Sequence, residues 1–274
     1  MIDLHCHLLP GIDDGPDTLA DALALARLSA AQGITTIACT PHILAGVYDT
    51  PGATIRAATA LMQTALAEAG IAIRLVVGCD LHVAPDNVAR LRSGTALPLN
   101  GSRYVLLELP HHVLPPRMDH ALFDIMAAGY VPILTHPERA GWIERDYVLV
   151  RRLAGAGVPM QVTAGALTGA FGRRARYWSE RMLDEGLVDL VASDAHSADH
   201  RPPLLAQARE VVLDRAGAER ARHIFVDVPE AILADRPLPD APEVEAPAAP
   251  PAREAGWMAR ARNLLNRSRD ARHA

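Results

Sequence analysis

Imidazoles and carboxylates recur where apolar runs of this chain end, and any chemistry it performs starts from that coincidence. From the amino terminus, the runs close on His5 and His7, His42, Asp80, Glu108, His136, and Asp194 with His196. Each is a side chain of divalent-metal ligand type. Packing does not explain why apolar runs should repeatedly terminate this way. His5 and His7 alternate with Cys6, so on a strand both imidazoles point to one face. The same spacing pairs Asp194 with His196 if the backbone stays extended there. Asp14, in GIDDG just after the first run, is placed to complete the set. A lone histidine is more simply read as a core or surface residue, but that reading does not cover the whole series.

These donors outnumber what one ion takes, about four to six. Two or three ions, with a carboxylate bridging at the third or fourth run, would use them all. Zn²⁺, Mn²⁺, Fe²⁺ and Co²⁺ all fit nitrogen and oxygen donors without cysteine. Clustered divalent ions suit phosphate-ester hydrolysis, because they lower the pKa of a bound water and clamp phosphoryl oxygens. Arg139 in THPER and Arg201 after SDAH are placed to grip the phosphate through their planar forks. Either one alone also reads as an ordinary surface ion-pair arginine. His82, His111, His112 and His200, near the same rim, read as pocket walls or surface residues rather than ligands.

Other chemistries are excluded. All 27 basic residues are arginine, which removes Schiff-base lysines and the P-loop lysine. A cysteine phosphatase needs an arginine six residues after its thiolate, but Cys6, Cys39 and Cys79 are followed there by Ile12, Ala45 and Pro85. The three cysteines form neither a CxxC pair nor an even framework, so they read as buried thiols of a reducing compartment. No G-x-S-x-G elbow is present. The net charge of −5 argues against nucleic-acid binding. With no signal-peptide pattern and no long apolar run, the expected location is cytoplasmic.

Seven apolar runs carry these residues: MIDLH at the start, then 34–40, 73–79, 103–109, 130–136, 158–164 and 187–193. Helical stretches separate them, with Gly33, Gly70, Gly129, Gly157 and Gly186 as terminators. Continuous apolar strands alternating with helices imply a parallel sheet covered by helices. Seven units fit a closed or distorted βα barrel, and an open doubly wound sheet is the alternative. In either, ligands bind at the carboxyl ends of the strands. Only the run ending near Thr163 and Ala164 lacks a ligand-type residue. One or two helices, about 202–216 and 218–226, finish a domain spanning 1–235. Residues 236–256 are a Pro/Ala-rich linker and 257–274 a basic amphipathic tail, with Trp257, Ala261, Leu264 and Leu265 on one face. The tail reads as a solvated segment, or as a dock for a partner or an anionic membrane surface.

The motifs MIDLHCHLLPGIDDGP, TPH, LNGSRYVLLEL, THPER and SDAHSADHRPP together resemble the PHP (polymerase and histidinol phosphatase) superfamily. Within it they are most similar to the bacterial metal-dependent protein-tyrosine phosphatases of capsule and exopolysaccharide operons. The resemblance implies an α/β fold, a distorted (β/α)7 barrel, and a trinuclear site, with manganese the first expectation and Fe²⁺, Zn²⁺ or Co²⁺ the alternatives. Carried over, His5, His7 and Asp194 bind one metal and Asp80 bridges to a second, which His136 and Glu108 serve. Asp14, His42 and His196 hold the third, and Arg139 and Arg201 contact the phosphate. The family usually has Glu where this chain has Asp80, a side chain one methylene longer.

The implied reaction is in-line attack of an activated water on phosphotyrosine. Its phenolate, with a pKa near 10, leaves with less protonation than an alkoxide needs. The implied protein substrate is a bacterial tyrosine autokinase controlling capsule or exopolysaccharide synthesis, and an oligomer fits. Two other readings stand beside this one. One is a histidinol-phosphate or other small-molecule phosphatase on the same scaffold. The other is a catalytically weakened regulatory or scaffold module, with Asp80 the mark of a decayed site.

Overall fold

The seven apolar runs become the staves of a closed parallel ring. The computed structural model describes residues 1–116 and 118–242. In chain order, β1 (Ile2–Cys6), α1 (Leu19–Ala31), β2 (Thr36–Cys39) and β3 (His42–Ile43) are followed by α2 (Gly52–Glu68), β4 (Arg74–Val77) and β5 (Asp80–His82). Next come α3 (Asn87–Ser93), β6 (Tyr104–Glu108), α4 (Met118–Ala127), β7 (Val131–Thr135), α5 (Ile143–Gly155) and β8 (Met160–Thr163). The chain continues through α6 (Ala164–Leu167), α7 (Gly172–Asp184), β9 (Leu190–Ala192), α8 (Leu205–Arg222) and α9 (Val228–Leu233).

Hydrogen bonding links β1-β2-β4 in one sheet and β3-β5-β6-β7-β8-β9 in another, every pair parallel. The two sheets share staves. β3 continues β2 beyond Pro41, which has no N–H for the ladder, and β5 continues β4 beyond Gly78 and Cys79. The ring closes where the Asp194 N–H donates to His5 O (2.8 Å) and the His7 N–H donates to Ala195 O (2.9 Å). A distorted (β/α)7 barrel results, and the open-sheet alternative falls away.

Alternation along the staves separates core from site. Ala38, Val76, Tyr104, Leu106, Ile133 and Leu190 belong to an inner apolar cluster, with Ile2 and Leu4 of β1. Their outward neighbours Ile37, Leu75, Val105, Leu107, Leu134 and Val191 pack in a larger cluster with the helices. Two-residue steps carry the inner face upward from Ala38 to His42, Val76 to Asp80, Leu106 to Glu108 and Leu190 to Asp194. Two staves break step. The β1–β2 register shifts between Asp3 and Cys6, which lets His5 and His7 face inward above Leu4. On β7, His136 follows Thr135 in a left-handed conformation (φ 33°).

The helices follow the sequence reading with local differences. Thr18 caps α1, its Oγ1 accepting from the Asp21 N–H at 3.2 Å and donating to the Asp21 carboxylate at 2.6 Å. The expected break between two final helices is real: Gly217 (φ 81°, ψ 172°) interrupts α8. The chain then continues as helix beyond 226, through a π-helical segment (His223–Asp227) that leads directly into α9, with Pro229 in the first turn of α9. The short α3 and α6 lie below the length at which periodicity is readable. Residues 236–242 carry no helix or strand. The rest of the expected linker (243–256) and the basic tail (257–274) lie outside the described residues. No helix among the described residues is long and apolar enough to cross a membrane.

Candidate metal centre

At the carboxyl rim, His5, His7, His42, Asp80, Glu108, His136, Asp194 and His196 converge, and Asp14 joins them from the loop after β1. Four groups have donor atoms within 4.8 Å of one another: His7, Asp14, His42 and His196; His42, Asp80, His82 and Glu108; His5, His7 and Asp80; and Glu108, His111 and His136. Asp194 Oδ1 lies 3.5 Å from His5 Nε2 and 3.4 Å from His7 Nε2. Asp80 sits centrally despite its short side chain. Its Oδ2 is 3.5 Å from His5 Nε2 and 3.2 Å from His42 Nδ1.

Neighbouring groups orient the imidazoles. His5 Nδ1 pairs with Gln161 Oε1 at 2.8 Å, His7 Nδ1 with Asp13 Oδ2 at 2.5 Å, and His196 Nδ1 with Asp194 O at 3.0 Å. Each acceptor fixes a proton on Nδ1, so that the neutral imidazole a cation would select presents its Nε2 lone pair to the site. His5 Nε2 and His7 Nε2 then face each other at 3.2 Å. His196 Nε2, His42 Nδ1, Glu108 Oε2 and both Asp80 oxygens are buried without a hydrogen bond of acceptable geometry. Buried polar atoms rarely go unpaired. So many together, with opposed lone pairs, form a donor set that fits divalent cations.

The electrostatics show how much negative charge is gathered here. Burial opposes charging of His42, yet Asp80 and Glu108 overcome it and push its pKa up to about 11. Burial likewise opposes charging of His7, and Asp13 overcomes it, raising the pKa to about 9. Asp194 is held well below the carboxylate range, because His5, His7, Arg201 and Arg139 outweigh its burial. Burial and then Arg139 push His136 well down. Two site residues have strained backbone, His136 (φ 33°) and Asp194 (φ 51°). Such conformations cost on the order of 1–3 kcal/mol and persist where the surroundings enforce them.

Arg139 and Arg201 reach the centre from one side. Arg139 Nη1 and Arg201 Nη2 both donate to Asp194 Oδ2, the latter at 2.8 Å. Beside them runs a groove of about 580 Å³ lined by Asp14, Asp17, Asp21, His196 and Arg201, among others.

Sequence reasoning missed several neighbours of this centre. His82 and His111, read as pocket walls, both contact the Glu108 carboxylate, His111 at 3.1 Å. His82 is two residues beyond Asp80, a spacing that could have flagged it. Asp13 is passed over for Asp14, although its Oδ2 also accepts the His42 N–H at 3.0 Å. Gln161 lies within a strand, where no spacing rule marks it. His112 and His200 are exposed, as a surface reading expects. The three cysteines are fully buried, and burial pushes the Cys39 and Cys79 thiols up to about 12, so no thiolate is available.

Fold and site together define a βα-barrel protein whose carboxyl rim is built to hold divalent cations. Residues 1–234 match the family described as capsular polysaccharide synthesis, CpsB/CapC, and the chain belongs to it. It is 34% identical over 219 residues to the tyrosine-protein phosphatase YwqE of Bacillus subtilis, covering 80% of this chain and 86% of that one. It is 30% identical over 241 residues to the tyrosine-protein phosphatase CpsB of Streptococcus pneumoniae, covering 86% and 99%. A crystal structure from work on YwqE and CpsB, described as unique metal-dependent tyrosine phosphatases, superposes with a TM-score of 0.83 at 32% identity, over 89% of this chain and 99% of that one. An organophosphorus hydrolase mutant shares the fold alone, with a TM-score of 0.52 at 14% identity.

Proposed function

We propose that this protein is a metal-dependent protein-tyrosine phosphatase. His5, His7, Asp14, His42, Asp80, Glu108, His136, Asp194 and His196 would hold two or three divalent ions, manganese first among them. One observation carries the reading: unpaired imidazole and carboxylate atoms converge at the rim, with two arginines on one side. The relatives named above, tyrosine-protein phosphatases of similar length, support the same activity.

Bound ions supply Lewis-acid charge to phosphoryl oxygens and lower the pKa of a bound water. The chain's own residues do the rest. Arg139 and Arg201 offer guanidinium N–H groups to the phosphoryl oxygens and neutralise their charge. Asp13 and Gln161 hold the imidazoles of His7 and His5 in the tautomer that presents Nε2. Asp80 has two buried, unpaired oxygens central to the cluster, which counts against a decayed site. The groove beside Asp14 and Arg201 leaves room for the chain flanking a phosphotyrosine, so the substrate is a protein, and the family's capsule connection points to a bacterial tyrosine kinase.

Elemental analysis of the purified protein, paired with turnover of a phosphotyrosine peptide with and without chelator, tests the reading. The expected outcome is bound divalent metal in at least two equivalents and turnover that chelation abolishes. Metal-independent turnover overturns the proposal. A large preference for histidinol phosphate over the peptide overturns the substrate assignment alone.

A further inference from the structure

The sixth stave ends without a ligand-type residue, yet the loop that follows it reaches the site. β8 runs directly into α6, and the chain then turns so that Phe171 lies against both arginines. Arg139 Cζ is 4.4 Å from the centroid of its ring and Arg201 Cζ 6.0 Å. The guanidiniums also meet at Asp194 Oδ2. Two like charges this close repel each other. A shared carboxylate oxygen and a shared aromatic face offset that repulsion.

The local chain is shaped around the ring. A Cβ at Gly165 would fall 2.7 Å from Phe171 Cε2, so the ring can lie there only because position 165 has no side chain. The Phe171 N–H donates to Gly165 O at 3.3 Å, tying the loop back onto α6. Core packing does not account for the ring: Phe171 is half-buried and belongs to neither apolar cluster.

We propose that Phe171 is the positioning residue for the arginine pair. Its ring sets where the two guanidiniums stand, and so governs how tightly phosphate is held rather than how fast the ester bond breaks. The inference rests on the phosphatase reading above and adds a determinant of its phosphate subsite.

The test uses the full chain loaded with manganese, as wild type, Phe171→Leu, Phe171→Tyr and Gly165→Ala. Binding of inorganic phosphate is measured by calorimetry. KM and kcat are measured on p-nitrophenyl phosphate, with metal content and melting temperature alongside. Loss of a partly desolvated cation–π contact in Phe171→Leu should weaken phosphate binding about tenfold and raise KM by a similar factor. Metal content should stay unchanged and kcat nearly so. Phe171→Tyr keeps the ring and should restore both values. Gly165→Ala keeps Phe171 but displaces its ring, and should move binding in the same direction as Phe171→Leu. It also decides the question if Phe171→Leu does not fold. Phosphate binding equal to wild type in Phe171→Leu or Gly165→Ala overturns the inference. So does a fall in kcat at constant KM, or a Phe171→Tyr protein as impaired as Phe171→Leu. A wild type that binds phosphate but hydrolyses no aryl ester sinks the phosphatase reading, and the binding series still decides Phe171.

Discussion

The two ends of this barrel are made of the same seven staves and treat polar groups in opposite ways. At the amino end, most polar groups find partners; the exception is Arg220, whose Nη2 donates to Val188 O at 2.6 Å while its Nε and Nη1 stay buried and unpaired. Tyr104 Oη donates to Arg236 O at 2.7 Å, Asn100 Nδ2 donates to Leu233 O at 3.0 Å, and Arg103 binds Asp235 through its backbone N–H and its guanidinium. Val228 and Ile232 of α9, fully buried, plug the interior. At the carboxyl end, Asp80, Glu108, His42 and His196 keep buried atoms without hydrogen bonds. The amino end is largely finished by the chain itself, whereas the carboxyl end gathers its unpaired donors in one cluster that bound cations would finish. Stability concentrates below and chemistry above, a division common to βα barrels.

Asp80→Ala breaks the comparison hardest. It should lower phosphotyrosine turnover about 100-fold or more and reduce metal content. The melting temperature of the metal-free protein should fall little, because the buried carboxylate it removes makes no hydrogen bond of good geometry and Glu108 still faces His42 at 3.3 Å. A marked loss of metal-free stability would mean that Asp80 is structural and the two ends are not different in kind. At the opposite end, Ile232→Ala leaves a cavity in the inner cluster and should cost about 2–5 kcal/mol, read in urea melts. Its turnover at a temperature where it stays folded should match wild type, and a matching loss of turnover would deny the separation. The smallest effect belongs to the tail. Deleting residues 240–274 should leave turnover of p-nitrophenyl phosphate unchanged, whereas a collapse would make the tail part of the active enzyme.

Much of this was legible beforehand because alternation and helical periodicity are local. The seven staves, the terminators such as Gly129 and Gly157, and the strand-end positions of His42, Asp80 and Glu108 follow from residue type and spacing. Asp80 raised a doubt that spacing could not resolve, since its reach depends on where β5 sits relative to β1 and β3. Residue type alone passes over His82 and His111, because a lone rim histidine is ordinarily a surface residue. Glu108, on the stave next to His82 and three residues before His111, makes them otherwise.

The sequence by itself determined a parallel βα architecture, the polarity of its rim and the donor types gathered there, because each rests on patterns a few residues long; closure into a barrel came from the tertiary structure. Only the tertiary structure decided which side chains meet. Asp13 rather than Asp14 fixes His7, Gln161 from the apparently silent sixth stave fixes His5, and Phe171 backs both arginines. The Gln161 and Phe171 contacts join residues far apart in the chain, the Asp13 contact turns on the loop after β1, and the set depends on a register shift in β1 and a left-handed turn at His136. Ring closure sets such geometry, and no local preference encodes it.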